Sequence, residues 1–522
     1  MFDVIISGGR IIDGSGSPWY SGDIGIRGDR IAAIGRLNQA EAHRVIEAND
    51  RVVCPGFIDI HSHSDVMLLA NPRHEPKIMQ GVTTDLLGLD GLSYAPLSPA
   101  NLQMVRRYIA GLNGNPNISW NWSSVSEYLA LFNRGVAINV AYFVPHNALR
   151  LEVMGFVDRA PTAQELSTMQ ELLAKGMSEG AVGFSTGLDY YPARYSNTDE
   201  LIGLCEVVAE YNAISVWHLR TRDIGLFEAA KEAIEVAART GGKVHFSHYA
   251  ANNPPMWGQS SEMLSLVDGA RLKGLDVTFD SYPYVATSTT LIIFLPRWVH
   301  EGGPDVILER LKQPKTKEKI CADMRADSYV WDQFVLTSVA TEKNKIHLGK
   351  TVADAAKEKG KKAEEFICDL LLEEELAVSY AGFTGNEADI QTIMKHPYHM
   401  ACSDGLLIGD KPNPRGWGTF ARYLGFYSRE LGVLSLEEAI RHMTAAPARS
   451  LGLNDRGLLK QGLAADLVVF NPQKVIDRAT FDEPKQYPVG VDYVLVNGAV
   501  VVDEGKHTGT LNGHALLRTI EQ

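Results

Sequence analysis

The chain has 522 residues, 45% apolar and 22% charged, with 47 Gly, 23 Pro and 5 Cys, which excludes a disordered, collagenous or coiled-coil protein. Lys and Arg number 50 against 63 Asp and Glu, and the resulting net charge of −13 argues against nucleic acid or an anionic membrane as partner. Cys54, Cys205, Cys321, Cys368 and Cys402 are odd in number and never spaced C-x-x-C, so no disulfide framework or zinc finger is indicated and a reducing, cytoplasmic setting is expected. The opening residues Met1 to Arg10 show no basic stretch before an apolar one, and no run approaches the roughly 20 apolar residues of a membrane span, so neither secretion nor membrane insertion is expected.

The first fifty residues read as short glycine-punctuated strands: Val4 to Ile6, Arg10 to Ile12, Asp23 to Ile26 and Arg30 to Ile34. The far end repeats the style at Ala465 to Phe470, Tyr493 to Gly498 and Val500 to Val502, and the two termini are expected to pair into one β-sandwich. Residues 1–54 and 451–522 form its two halves, and residues 55–450 form a separate central domain. There, apolar strand-like runs alternate with amphipathic helical stretches, the pattern of βα units around a parallel sheet. The strands are predicted at Gly56 to Ile60, Gly81 to Gly88, Val136 to Val144, Gly180 to Ser185, Ala213 to Trp217, Lys243 to Ser247, Asp276 to Phe279 and His399 to Cys402. Eight such units make an α/β fold, a closed (β/α)8 TIM barrel whose chemistry belongs at the C-terminal strand ends. The long gap between the seventh and eighth strands holds an insertion around 291–350, placed where a lid would lie, and the charged run Lys357 to Glu365 reads as a solvated helix face.

The most specific signal is Gly56-Phe57-Ile58-Asp59-Ile60-His61-Ser62-His63, where an apolar strand ends in two histidines at i and i+2. A period of two puts both imidazoles on one face, and converging neutral nitrogen donors suit zinc and similar cations. Later strand ends supply His218, His245 and His248, each of which alone would pass for a packed or surface histidine. His245 and His248 are three apart and so face opposite sides of a strand; His248 is assigned to the site and His245 to packing or the barrel exterior. The eighth strand leads into Asp404, the carboxylate expected to move protons, since a metal lowers the pKa of bound water from 15.7 to about 7 but a base and an acid are still needed. Cys402, two residues earlier on the same face, lies deeper in the barrel and is set aside as ligand or nucleophile.

With these motifs in place, the chain resembles the amidohydrolase superfamily, and within it the D-aminoacylase (N-acyl-D-amino-acid deacylase) group, over nearly its whole length. Group-like segments include Gly183 to Leu188, Tyr190-Tyr191-Pro192, Asp280-Ser281-Tyr282-Pro283-Tyr284, Leu295 to Val299, Asn413-Pro414-Arg415 and Ala464 to Phe470. The resemblance implies a site of His61, His63 and Asp404 on one side and His218 and His248 on the other, holding one or two divalent zinc-type ions. It also implies that Tyr282, Ser288 and Arg415 hold a small-molecule substrate's free carboxylate, which suits a guanidinium fork. Three positions depart from the group pattern. Asp90, in Gly88-Leu89-Asp90-Gly91, stands where the group has a cysteine ligand, and a carboxylate is harder than a thiolate and can bridge two cations. Asn413 replaces a frequent histidine, and Pro145-His146-Asn147 replaces a Gly-His pair; both are expected where substrate specificity is set.

The function implied is metal-dependent cleavage of an N-acyl-D-amino acid to a carboxylate and a D-amino acid, by metal-bound hydroxide with Asp404 as base and acid; the D preference rests on resemblance alone. Two alternatives stay open: the same fold acting on a different amide, cyclic amide, carbamate or ester with Asp90 in a two-metal site, and a barrel serving only as a binding scaffold. Association with further copies of the chain also stays open.

Overall fold

In the computed structural model, which describes residues 1–518, eight parallel strands form the centre: β1 (Phe57–Asp59), β2 (Val82–Leu87), β3 (Asn139–Pro145), β4 (Gly183–Gly187), β5 (Ile214–His218), β6 (Lys243–Phe246), β7 (Val277–Ser281) and β8 (His399–Ala401). They are hydrogen-bonded in sequence order from β1 to β8. The seam between β1 and β8 is closed just past their ends, where Ser62–His63 pairs in parallel with Gly405–Leu406 and the Asp404 N–H donates to the His61 carbonyl at 2.8 Å. This closure brings the first and last strand ends, with their histidines and Asp404, into one mouth.

Side chains alternate between two cores, as the pleat requires. Ile58, Leu86, Phe143, Val216 and Met400 fill the barrel, while Phe57, Leu87, Val144, Trp217 and Ala401 face the surrounding helices. The helices carry ordinary start signals: Thr162 and Ser124 each form a reciprocal capping box, with Glu165 and Glu127 respectively.

Both chain ends build the second sheet, of nine strands. Its joint is Val52–Pro55, parallel to Phe2–Ile11 and antiparallel to Leu467–Phe470. Alternation again divides the faces: Leu467, Val469 and Leu495 pack into the sheet's own core with Ile6, Ile24 and Ile46, while Val468, Phe470, Val494 and Val496 pack toward the barrel. The predicted separate strands Val4 to Ile6 and Arg10 to Ile12 are one strand with an irregularity between Ile6 and Gly9, where Gly8 has φ +73°.

The chain between β7 and β8 builds a three-stranded antiparallel sheet of Ala286–Thr290, Phe334–Ser338 and Ser379–Phe383, with helices including Pro304–Lys312 and Pro314–Ala326. Among the described residues, no helix is long and apolar enough to cross a membrane.

Candidate metal centre

Six side chains predicted for the site converge at the C-terminal end of the barrel. His61, His63, Asp90 and Asp404 offer ligand atoms within 4.8 Å of one another, and so do Asp90, His218 and His248. Asp90 belongs to both groups: Oδ1 lies 3.3 Å from His61 Nε2 and 3.5 Å from His248 Nε2, and Oδ2 lies 3.3 Å from His218 Nδ1 and 3.5 Å from His63 Nε2. All six are buried.

The backbone holds three of them in a conformation that side chains other than glycine seldom adopt. Asp90 has φ +54°, His248 +35° and Asp404 +45°. Such residues persist only where the surroundings over-determine them, and here they do. Asp90 rides a tight turn between Gly88 and Gly91 that Ser185 of β4 clamps: its hydroxyl donates to the Gly88 carbonyl and accepts the Gly91 N–H. Asp280, at the end of β7, accepts the His248 N–H at 2.6 Å and lies 2.8 Å from His245 Nε2. Asp404 is tied by its own N–H to His61.

The donor set fits a divalent cation. His61 Nε2 and Asp90 Oδ1, which face each other within the cluster, are buried with no hydrogen-bond partner among the described residues, a cost that a coordinated cation would remove. The electrostatics agree. Burial alone would depress the His61 imidazole, yet Asp90 and Asp404 outweigh it and hold it well above its usual value; against the same burial, Asp404 and Asp90 raise His63, and Asp90 and Asp189 raise His218. Burial and then the Arg222 charge push His248 down to about 3. Against burial, the neighbouring histidines hold Asp90 well below the carboxylate range, and Arg415 with His61 does the same for Asp404.

Arg415 opens a helix, Arg415–Arg422, and is fully buried. Its Nη2 lies 2.9 Å from Asp404 Oδ2 and donates to the Ser288 carbonyl at 3.1 Å, its guanidinium sits 4.3 Å above the Tyr282 ring, and its Nε and Nη1 have no partner among the described residues. Ser288 lines the mouth, but its hydroxyl donates to the Tyr380 carbonyl at 2.8 Å. A cleft of about 560 Å³ leads outward from His218 past Tyr190, Arg222 and Ser288.

Some expectations need correction. His245 is neither ordinary packing nor exterior: it is buried, and it bonds Asp280, whose Oδ2 also lies 3.7 Å from His61 Nδ1. The parity argument fails because β6 stops at Phe246 and His248 lies in the left-handed turn beyond. His146 does not face the substrate region; it is buried between Thr186 (2.8 Å) and Glu200 (2.9 Å), which also pairs with Arg150. Asn413 works behind Arg415, accepting its N–H at 3.2 Å and donating to the Ala286 carbonyl at 3.0 Å. Cys402 is buried in the barrel core, which raises its thiol well above the usual range.

Two participants escaped sequence reasoning. Asp280 was visible only as part of a motif, although a carboxylate at the end of a barrel strand is itself a signal. Lys77 gave none: it is fully buried beneath the site, paired with Asp59, and donates to Ser403 Oγ at 2.6 Å and Ser62 Oγ at 3.1 Å. It thereby ties the ends of β1 and β8 together.

A model of the amidohydrolase family matches residues 44–502. The D-aminoacylase of Alcaligenes xylosoxydans xylosoxydans is 36% identical over 99% of this chain and 98% of that protein. The N-acyl-D-glutamate deacylase of the same organism is 37% identical over 96% of this chain and 93% of that protein. Among solved structures, the N-acyl-D-glutamate deacylase of Bordetella bronchiseptica, complexed with zinc and a phosphonate mimic of the reaction's tetrahedral intermediate, superposes with a TM-score of 0.86 at 35% identity, covering 99% of this chain and 100% of that one.

Proposed function

This chain belongs to the amidohydrolase family, and we propose that it is a metal-dependent deacylase that cleaves N-acyl-D-amino acids to a carboxylate and a free D-amino acid. The observation that carries this reading is the convergence of His61, His63, Asp90, Asp404, His218 and His248 beside a buried Arg415 with two unused nitrogens. The six would hold one or two zinc-type divalent ions, and a cation bound there supplies Lewis acidity toward the acyl carbonyl and makes water acidic enough to attack.

The protein's own groups do the rest. Asp404 is held ionised at neutral pH, the state needed to accept a proton from the attacking water and pass it to the leaving nitrogen. Arg415 fixes the carboxylate's orientation through Oδ2 and leaves Oδ1 turned toward His61 and His63, at 3.6 and 3.2 Å. Arg415, over Tyr282, receives the substrate carboxylate through its charge and one of its two free nitrogens, Nε or Nη1, which lie on opposite edges of the guanidinium. Ser288 contributes its carbonyl to holding Arg415 in place.

The second reading, hydrolysis of another amide, cyclic amide, carbamate or ester with two metals, draws on Asp90 belonging to both ligand groups. The test is hydrolysis by the zinc-loaded protein of N-acetyl-D-amino acids, their L enantiomers and their methyl esters. Turnover confined to D substrates with a free carboxylate supports deacylation. Full metal occupancy with no turnover of any of them refutes it.

A further inference from the structure

The insertion between β7 and β8 holds a pair of thiols away from the metal centre. Lys317, Cys321 and Arg325 recur every four residues in the helix Pro314–Ala326 and so share one of its faces. Each meets a partner on the helix Ala363–Glu373: Lys317 pairs with Asp369, Cys321 Sγ lies 3.8 Å from Cys368 Sγ, and Arg325 Nη1 lies 3.7 Å from Glu364 Oε2. The contacts run in opposite directions along the two helices. The thiols are thus the middle rung between two ion pairs that fix how the helices face each other.

Burial by itself says nothing of reactivity, since a free cysteine packs as a small apolar residue. This pair differs from Cys54, Cys205 and Cys402, which lie apart from one another in the joint strand Val52–Pro55, the helix Thr198–Glu210 and the barrel core. Its two sulfurs touch. Cys321 keeps 6% exposure while Cys368 has none, so a small oxidant meets Cys321 first. Cys321 also lies between two cations of its own helix: the Cys368 thiol donating to it lowers its pKa, and Lys317 and Arg325 add to this against burial. Thiolate is the reacting form, and such surroundings favour it. The rung adjoins the cleft as well. The helix Pro314–Ala326 runs straight into Asp327, Ser328, Tyr329 and Val330, which line the cleft outside His218. Just beyond them, Trp331 Nε1 donates to Glu364 Oε1 at 3.1 Å, so both ends of that segment are held to the helix that carries Cys368.

We infer that Cys321 and Cys368 form a reversible oxidation site, a dithiol that peroxide converts to a disulfide tethering this rim of the cleft. The Cys321 thiolate attacks a peroxide oxygen; an S–O bond forms as the O–O bond breaks, and the departing hydroxide takes up the proton that the thiol released. The Cys368 sulfur then attacks the sulfenic sulfur. The S–S bond forms, the S–O bond breaks, and the leaving hydroxide carries off the Cys368 proton as a second water. Two electrons pass from the thiols to the peroxide, the sulfurs close from contact to about 2.0 Å, and a thiol reductant reverses the change. No metal ligand takes part, so the site stands independently of the deacylase reading.

The test exposes the zinc-loaded protein to hydrogen peroxide, removes the excess with catalase, and counts thiols after unfolding, with peptide mapping in the absence of reductant. Thiols should fall from five to three per chain, with Cys321 and Cys368 in one cross-linked peptide, and dithiothreitol should restore all five. In Cys368→Ala the same treatment should leave on Cys321 a sulfenic acid that dimedone traps, and in Cys321→Ala no thiol should be lost. Survival of all five thiols in the unmodified protein, or loss from Cys54, Cys205 or Cys402 instead, overturns the site without any variant. Amide hydrogen exchange at Asp327 to Val330 should slow in the oxidised protein and recover on reduction. A disulfide that leaves this exchange unchanged overturns the tether.

Discussion

Arg415 Nη2 and Asp404 Oδ2 are 2.9 Å apart, and under the proposed deacylase reading this contact would couple substrate recognition to proton transfer. Burial would raise the Asp404 pKa, and the Arg415 charge is the largest influence holding it down. On that reading, a substrate carboxylate at Arg415 would neutralise part of that charge and make Asp404 a stronger base in the substrate complex.

Removing the guanidinium should therefore do two things. In Arg415→Met, kcat/KM should fall at least 100-fold, as expected when one partner of a buried charge pair is deleted. The acidic limb of the pH profile should also move to higher pH, because Asp404 loses the charge that depresses it. A loss of kcat/KM with an unmoved acidic limb would show that Arg415 binds substrate without tuning Asp404.

The ligand histidines set an opposite pH dependence for the metal-free protein. His61, His63 and His218 have folded pKa values raised above the unfolded value of about 6.5, so the stability they confer is complete below that pH and is lost as pH rises through the folded values. Metal must displace those protons, so zinc affinity should increase from pH 6 to 8 with net proton release. Calorimetric titration in buffers of differing ionisation enthalpy measures that release directly, and no release at pH 7 would contradict the assignment. Asp90→Asn, which weakens the one carboxylate shared by both ligand groups, should lower metal content per chain by elemental analysis.

Much of this was legible in the sequence because period-two alternation and strand-end chemistry are local. The eight strands from Phe57 to Ala401 fall within a few residues of their predicted places, and all six metal-competent side chains come together. What stayed hidden depends on contacts between distant parts of the chain. Nothing near Lys77 announces that Asp59 and Ser403 will surround it. His245 was misplaced because its partner Asp280 lies 35 residues on, and strand parity says nothing of a strand that ends one residue later.

Lys77 offers a stability prediction. Its ammonium is fully buried, with Asp59 in contact and Asp85 at 3.8 Å. Lys77→Met leaves Asp59 without its cation and should cost about 3–5 kcal/mol, the usual penalty for breaking a buried ion pair from one side. Denaturant unfolding of the metal-free protein reads this out without reference to activity. A cost below about 1 kcal/mol would mean that Asp59 takes up a proton cheaply, consistent with burial raising its pKa despite Lys77.

The position of Asp90 is enforced from behind by a residue that has no side chain. Gly187 ends β4, and a Cβ there would lie 2.0 Å from the Asp90 carbonyl oxygen and 2.7 Å from its carbonyl carbon, so backbone would have to move. The same strand's Ser185 clamps the turn from the other side, which leaves the Asp90 loop no slack. Gly187→Ala should thus displace the Asp90 carboxylate from His218 and His248, and zinc bound per chain should drop. The fold should pay only the about 1–3 kcal/mol typical of local overpacking. Ser185→Ala, which removes the clamp without pushing the loop, should give a smaller loss of metal. Wild-type metal content in Gly187→Ala would mean that the coordinating position of Asp90 is set by the histidines alone.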